Sequence, residues 1–442
     1  MSKFGRHVFC AALAGLLAAG SAGAQLLPGV SLPLPVPPVS NVPVVGPVVH
    51  DVLAQPQARQ AIRPSLDKVG GLPQSLAEAG APTLLQLRRL RLQQLIRENR
   101  AALDSDGSGQ PVRRGVLIAI DPDSASLLAA QRAGFRVVAQ DSEPSLGLRT
   151  AQLAVPPKMS AREGLKRLRK VAPRLDADFD HLFEPAGGAL LPIQAALASS
   201  AEMARGHVIG MVDGGVASHP SLAGASIEQH GFAGSAKPTG HGTAVASLLV
   251  GNQGPFHGAA TGAQLYVADI YGGSQAAGSA SVIVKALGWL AGHRPQVINI
   301  SLVGPSNKLL QRAIRAVQAR GIEVVAAVGN DGPAAPPQYP ASYPGVVAVT
   351  AVDARGRALP EAGKPTHLDF AAPGADMAAA LPGQGYARVR GTSFAAPFAA
   401  ARLALAGSVG RLAAEARPGK GRVGRGIVCG DCRIDPRTVG AK

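Results

Sequence analysis

Between His207 and Val352 the chain alternates continuous apolar runs with helix-length segments. The runs HVIGMVD (207–213), QLYVADI (264–270), VINIS (297–301), IEVVAAVGN (322–330) and VVAVTAV (346–352) lack the every-other-residue polarity of a half-exposed strand. Each therefore predicts a strand buried on both faces. Helices are predicted over 243–250, 281–290 and 308–320, between those strands. Buried strands alternating with helices predict an α/β fold of the doubly wound kind, a mostly parallel sheet with helices on both faces. In such sheets functional groups gather where strand C-termini meet helix N-termini.

Upstream the pattern changes. VLIAI (116–120), FRVVAQ (135–140), LRTAQLAV (148–155) and DFDHLF (178–183) read as short strands, and 124–134 and 160–173 as helices. The order β-α-β-β-α-β predicts a small α/β plait. A helix with Leu85, Leu92, Leu95 and Ile96 on one face is predicted over 83–103, ahead of DSDGSGQPVRRG (104–115). That opening lacks the closing Glu of a calcium loop and reads as a turn. The resulting partition is 1–24, a proline- and valine-rich leader over 25–82, the plait region over 83–185, a linker over 186–205, the main domain over 206–407 and a basic Gly/Arg-rich tail over 408–442. EPAGGALLPIQAALASSAEMARG (184–206) separates plait from main domain and carries no obvious chemistry.

Composition changes this picture only at the edges. The chain is 46% hydrophobic with 4% aromatics, 54 Gly and 36 Pro, which fits a Gly-rich α/β protein with real cores. Its net charge of +16 raises a nucleic-acid reading. The arginines are scattered through helical patterns without interleaved aromatics, so no specific nucleic-acid partner is expected. Lys3 and Arg6 precede a short apolar run, Val8–Gly20, that closes on Ala22-Gly23-Ala24. This is the signature of a signal peptide cut after Ala24, implying a secreted or periplasmic protein. No later run is long enough to span a membrane. Cys10 would leave with the signal, and Cys429 and Cys432 then permit a tight disulfide or half of a zinc site. In an exported chain with no second Cys or His pair nearby the disulfide is favoured.

The chemistry lies in three segments. Asp213 ends an apolar strand, His241 opens a helix within GHGTAVA, and Ser393 stands at a helix start within GTSFAAP. Alone, each has a plain role as turn residue, structural histidine or N-cap. Together they supply a nucleophile, a base and a carboxylate that fixes the base's tautomer. Asp269 and Asp353 are the rival carboxylates, but neither has the strand-end context ahead of the His segment.

In this order the motifs resemble those of the subtilisin-like serine peptidases (subtilases). The resemblance covers about 200 residues, 206–407. It implies catalytic roles for Asp213, His241 and Ser393, and an oxyanion-donor role for Asn330 in VVAAVGNDG. It also implies substrate pairing along Ser301, Leu302, Val303 and Gly304. Polypeptide substrates are implied, as is an N-terminal propeptide acting as intramolecular inhibitor and chaperone, with processing near residues 184–205. No cofactor is implied as required; structural calcium is common in the family, but no carboxylate cluster specifies a site, and no metal ligands are assigned. Three positions depart from the family pattern: Gly214 follows Asp213 in place of Ser or Thr, Val303 replaces Gly, and Phe398 replaces His. The first two leave a catalytically silent binding protein of the same fold as the alternative.

Overall fold

The computed structural model describes residues 81–190, 204–383 and 385–441. The expected signal peptide, the leader up to residue 80 and linker residues 191–203 lie outside them.

Helix α1 (Ala81–Glu98) leads into β1 (Leu103–Ser105), β2 (Pro111–Ile120), α2 (Ser124–Arg132), β3 (Arg136–Glu143), β4 (Leu148–Ala154), α3 (Ala161–Val171) and β5 (Ala177–His181). Strands β1 and β5 both pair with β2, which pairs with β4 and through it with β3, always antiparallel. The β-α-β-β-α-β plait is thus present. Its helices start where side chains satisfy free backbone N–H groups: Asp123 caps α2, and Ser160 with Glu163 forms a reciprocal capping box on α3. Leu117, Leu153, Leu165, Leu168 and Phe135 fill its small core. The acidic stretch before Pro111 folds as a turn, with Asp106 accepting the N–H groups of Ser108 and Gln110.

Two short strands follow, β6 (Glu184–Pro185) and β7 (Gly188–Leu190). The main domain then runs through β8 (Val208–Asp213), β9 (Ser226–Gly231), α4 (Gly240–Val250), β10 (Gln264–Asp269), α5 (Ala280–Gly292), β11 (Val297–Ile300), β12 (Leu302–Val303), α6 (Lys308–Gln318), β13 (Glu323–Ala327), β14 (Val347–Val352), β15 (Phe370–Pro373), β16 (Met377–Ala380), β17 (Tyr386–Arg390), α7 (Thr392–Ala406) and α8 (Val409–Glu415). Seven strands form one parallel sheet in the order β15-β14-β13-β11-β8-β10-β9. Winding starts at β8, goes out to β9 and β10, and returns across β8 to β11 and beyond. The crevice at this reversal is where an α/β sheet gathers its chemistry.

Helices α4 and α7 pack on each other on one face, and α5 and α6 on the other. Every residue of α4 is buried, as its lack of a polar face requires. Helix α6 is amphipathic and buries Leu309, Leu310, Ala313, Ile314 and Val317. Alanines 395, 396, 399, 400 and 401 let α7 lie close against β11, β13, β14 and β15. Beyond α8 the tail covers the open edge of β15: Val428 N–H donates to Ala371, and Ala371 N–H to Gly426. Cys429 and Cys432 form a disulfide within it.

The plait docks on the N-termini of α5 and α6. Asp180 accepts the backbone N–H and the hydroxyl of Ser281 at 2.9 and 2.8 Å, and Asp178 accepts the N–H of Lys308 at 2.9 Å. Both carboxylates meet the positive end of a helix dipole.

Candidate active site

Asp213 is the last residue of β8, so its side chain leaves the sheet at the crevice. Its Oδ1 accepts the N–H of Gly214 at 2.7 Å, and both oxygens stand 2.9 Å from His241 Nδ1. His241 is the second residue of α4, whose first turn is capped by Thr239 through the N–H of Gly242. On the ring's other side His241 Nε2 stands 2.9 Å from Ser393 Oγ. All three side chains are buried, Asp213 and Ser393 fully. With a carboxylate facing Nδ1, the neutral ring carries its proton there and Nε2 is free to accept from the serine hydroxyl.

Ser393 stands at a helix start, as the sequence implies, but it is not the cap. Gly391 holds the cap position with φ 139° and no side-chain cap, and Ser393 is the second residue of α7. Pro397 lacks the N–H that would bond the Ser393 carbonyl within the helix. Ser301 Oγ donates to that carbonyl instead, at 2.9 Å. The hydroxyl of Ser301 thereby ties the chain between β11 and β12 to the helix that carries Ser393.

Asn330 follows β13 and the positive-φ residue Gly329. Its Oδ1 accepts the N–H of Thr392 at 3.0 Å, while the Thr392 hydroxyl accepts the N–H of Gly329 at 3.0 Å. The amide nitrogen is left pointing the other way, and it donates to the carbonyl of Ala186. The N–H of Ser393 donates to the same oxygen at 3.1 Å. Two donors therefore converge on one carbonyl beside the serine hydroxyl, the arrangement that stabilises an oxyanion.

That carbonyl belongs to the stretch that carries no obvious chemistry in its side chains and in which the resemblance implied processing. Residues 183–190 run through the crevice as β6, a bend at Ala186, and β7. Ala186 N–H donates to the Ser301 carbonyl at 3.1 Å, and β6 pairs antiparallel with β12, Pro185 opposite Leu302 and Glu184 opposite Val303. Phe183 is fully buried, its N–H bonded to Gly278 and its carbonyl to the Tyr271 hydroxyl. A Cβ on Gly304 would collide with the Phe183 ring, so the glycine opens that pocket. Burial first, then the charges of Asp213, Glu184 and Asp269, push the Tyr271 phenol well above its usual range, and it stays a neutral donor. Past Ala186, a Cβ on Gly187 would collide with Ser393 Oγ. Downstream, β7 pairs antiparallel with β17: Gly188 opposite Arg390, Ala189 opposite Val389, Leu190 opposite Arg388.

The departures have physical explanations. A Cβ on Gly214 would collide with the Thr239 side chain, so Thr239 fills the space that a larger residue would take. Val303 is buried, and its methyl lies 3.3 Å from where a Cβ on Gly329 would stand, narrowing the space ahead of Asn330. Phe398 is fully buried behind Ser393 in α7. Asp269 accepts the N–H groups of Tyr271, Gly272 and Lys237, and Asp353 those of Arg355 and Arg357, so both are engaged as turn residues. Among the described residues no group of His, Cys, Asp and Glu could hold a metal ion.

The resemblance implied processing near residues 184–205, but sequence reasoning did not single out Ala186 and Gly187, because a peptide held by its backbone leaves no side-chain signal. It also missed Asp331. This buried carboxylate, next to Asn330, binds Arg88 at 3.0 Å and Arg91 at 3.0 Å, and Arg91 also reaches Glu184 at 3.1 Å. Burial opposes the charge on Arg91, but Asp331 and Glu184 outweigh it and hold the guanidinium above its ordinary value. Helix α1 is thus pinned beside the crevice, where Leu84 packs over Gly332.

A family model described as the subtilase family matches residues 204–412. The chain is 36% identical over 203 residues to subtilisin Savinase of Lederbergia lenta, a match covering 45% of this chain and 74% of the relative. It is also 36% identical over 203 residues to an alkaline protease of Alkalihalobacillus alcalophilus, spanning 53% of that protein's length. Among solved structures it resembles fervidolysin from Fervidobacterium pennivorans, described as a keratinolytic enzyme related to subtilisin. The TM-score is 0.60 at 20% identity, over 73% of this chain and 61% of that one, a likeness of fold. No helix among the described residues is long and apolar enough to cross a membrane.

Proposed function

This chain belongs to the subtilase family, which is one of serine-type endopeptidases, and from that premise we propose that it is an exported endopeptidase made as a self-processed precursor. In the proposed mechanism Ser393 Oγ attacks a substrate carbonyl while His241 Nε2 takes its proton. Asp213 holds the ring's tautomer and stabilises the imidazolium. Negative charge on the former carbonyl oxygen is met by Asn330 Nδ2 and the Ser393 N–H. His241 then returns the proton to the leaving amine, and water hydrolyses the acyl-enzyme by the same route.

The observation that carries this reading is the Ala186 carbonyl, held by both donors with Ser393 Oγ against Gly187. We read Ala186–Gly187 as the bond the chain cuts in itself, and the plait with α1 as the prosegment that occupies the cleft. The resident segment also reports preference: an aromatic side chain fits at the position of Phe183 and a small one at the position of Ala186. Polypeptides are the substrates. Gly214 and Val303 give no weight to a catalytically silent binding protein, since Thr239 fills the space beside Gly214 and Val303 only narrows the cleft.

The test is to express the full chain and its Ser393→Ala variant and to follow both by intact mass and a fluorophosphonate label. Wild type should label and release a product beginning at Gly187, whereas the variant should do neither. A wild type that neither labels nor changes mass would overturn the proposal.

A further inference from the structure

The strand pairing downstream of Gly187 bears on which substrates the cleft prefers. Strand β17 offers its edge to β7, and its residues alternate in burial: Ala387 and Val389 are buried, while Tyr386, Arg388 and Arg390 are half-exposed on the other face. The two arginines on that face differ in their partners. Arg390 is paired with the buried carboxylate of Glu361, its Nε 2.6 Å from Oε1. Arg388 has no acceptor among the described residues, although its Nε is fully buried. Across β16 it faces only Ala378, and across β7 it stands opposite Leu190, the fourth residue after the Ala186–Gly187 bond.

A buried guanidinium N–H without an acceptor is uncommon, because it forfeits water and gains nothing in return. The resident chain supplies no carboxylate close behind the bond: from Gly187 to Ala201 there is no Asp or Glu, and the first acid is Glu202. We propose that β17 docks the part of a substrate downstream of the scissile bond, and that Arg388 is a specificity-determining residue selecting a carboxylate at the fourth position past that bond. This rests on the peptidase reading above. Backbone pairing along β17 gives register without sequence preference, and the charged residue adds the preference. The resident segment, with Leu190 at that position, is then a deliberately poor occupant once cut, and polypeptides acidic in that position are better ones.

The test uses the full chain left to mature and internally quenched peptides Phe-Glu-Pro-Ala-Gly-Gly-Ala-X, with X being Asp, Leu or Lys. At low salt wild type should favour Asp over Lys by about fivefold in kcat/KM, a gap that narrows as salt is raised. Arg388→Glu should reverse the order. Asp and Lys peptides cut within about twofold of each other by wild type, or an Asp preference kept in Arg388→Glu, would overturn the proposal. Failure to cut any of the three would overturn the peptidase reading itself.

Discussion

The N–H of Ser393 donates to the carbonyl of Ala186 at 3.1 Å, and the side-chain amide of Asn330 donates to the same oxygen. In the proposed mechanism the chain's own backbone thereby fills the position of a substrate's scissile carbonyl. Each donor reaches that position for a separate structural reason. Ser393 gets there through the helix start after Gly391, and Asn330 through the Thr392 N–H that fixes its Oδ1.

Asn330→Ala removes a donor that matters most when the carbonyl oxygen becomes negative. We expect kcat on a peptide substrate to fall about 10²- to 10³-fold with KM little changed, and self-cleavage to slow in parallel. Steady-state kinetics on matured protein check this. A loss confined to KM would assign Asn330 to ground-state binding.

Gly187→Val places a branched side chain where the uncut chain passes Ser393 Oγ. The precursor should remain at full mass under conditions in which wild type is cut. Normal cutting of the variant would show that the chain has another way past the serine.

Gly214→Ser forces a side chain into the space of Thr239 and should cost about 1–3 kcal/mol of stability by overpacking. Combining it with Thr239→Gly should recover most of the loss, because Gly at an N-cap costs only a few tenths of a kcal/mol. Thermal unfolding of the single and double variants measures the coupling.

How much of this was legible in the sequence depended on where each residue's signal lay. The five central strands announced themselves because both their faces are buried, leaving uninterrupted apolar runs such as 208–213 and 347–352. Strand β9, SIEQHG, was illegible because it lies at the sheet edge and is largely exposed. Strands β15 (FAAP) and β16 (MAAA) hold few β-branched residues, so burial rather than propensity makes them strands. Asp213, His241 and Ser393 were legible because the proposed chemistry needs their side chains. Ala186 and Gly187 were not, because only their backbone is used, and small residues after a proline read as a linker. Asp331 gave no signal because its partners, Arg88 and Arg91, lie in a distant helix whose arginines read only as part of a scattered basic composition.

The capping contacts of the plait lead to a further expectation. Asp178 and Asp180 satisfy the N-termini of α6 and α5, a kind of contact worth about 1 kcal/mol each. Asp180→Ala should loosen the plait's hold about fivefold and shorten the lag before full-chain protein shows activity. A lag unchanged in both Asp180→Ala and Asp178→Ala would show that these caps do not set release.

Histidine 219 gives a pH prediction. It is buried, accepting the N–H of Ser221 at Nδ1 and facing the Gly385 carbonyl with Nε2. Burial lowers its pKa below 6.5, with the Gly385 contact partly opposing. The unfolded chain then binds a proton at a pH where the folded one does not. Its contribution to stability is therefore complete above about pH 6.5 and is lost as pH falls through the depressed folded value. His219→Gln should flatten this limb of a Tm-against-pH curve. An identical slope in wild type and variant would place the dependence on another group.

Under the proposed self-cleavage, the tethering of Ala186 to the same molecule fixes the reaction order of maturation. A bond already seated beside its nucleophile has no encounter to wait for, so the first cut is unimolecular and its half-time does not depend on dilution. Every later substrate must arrive by diffusion. The same serine thus keeps two clocks, one set by the molecule alone and one by the concentration of what surrounds it.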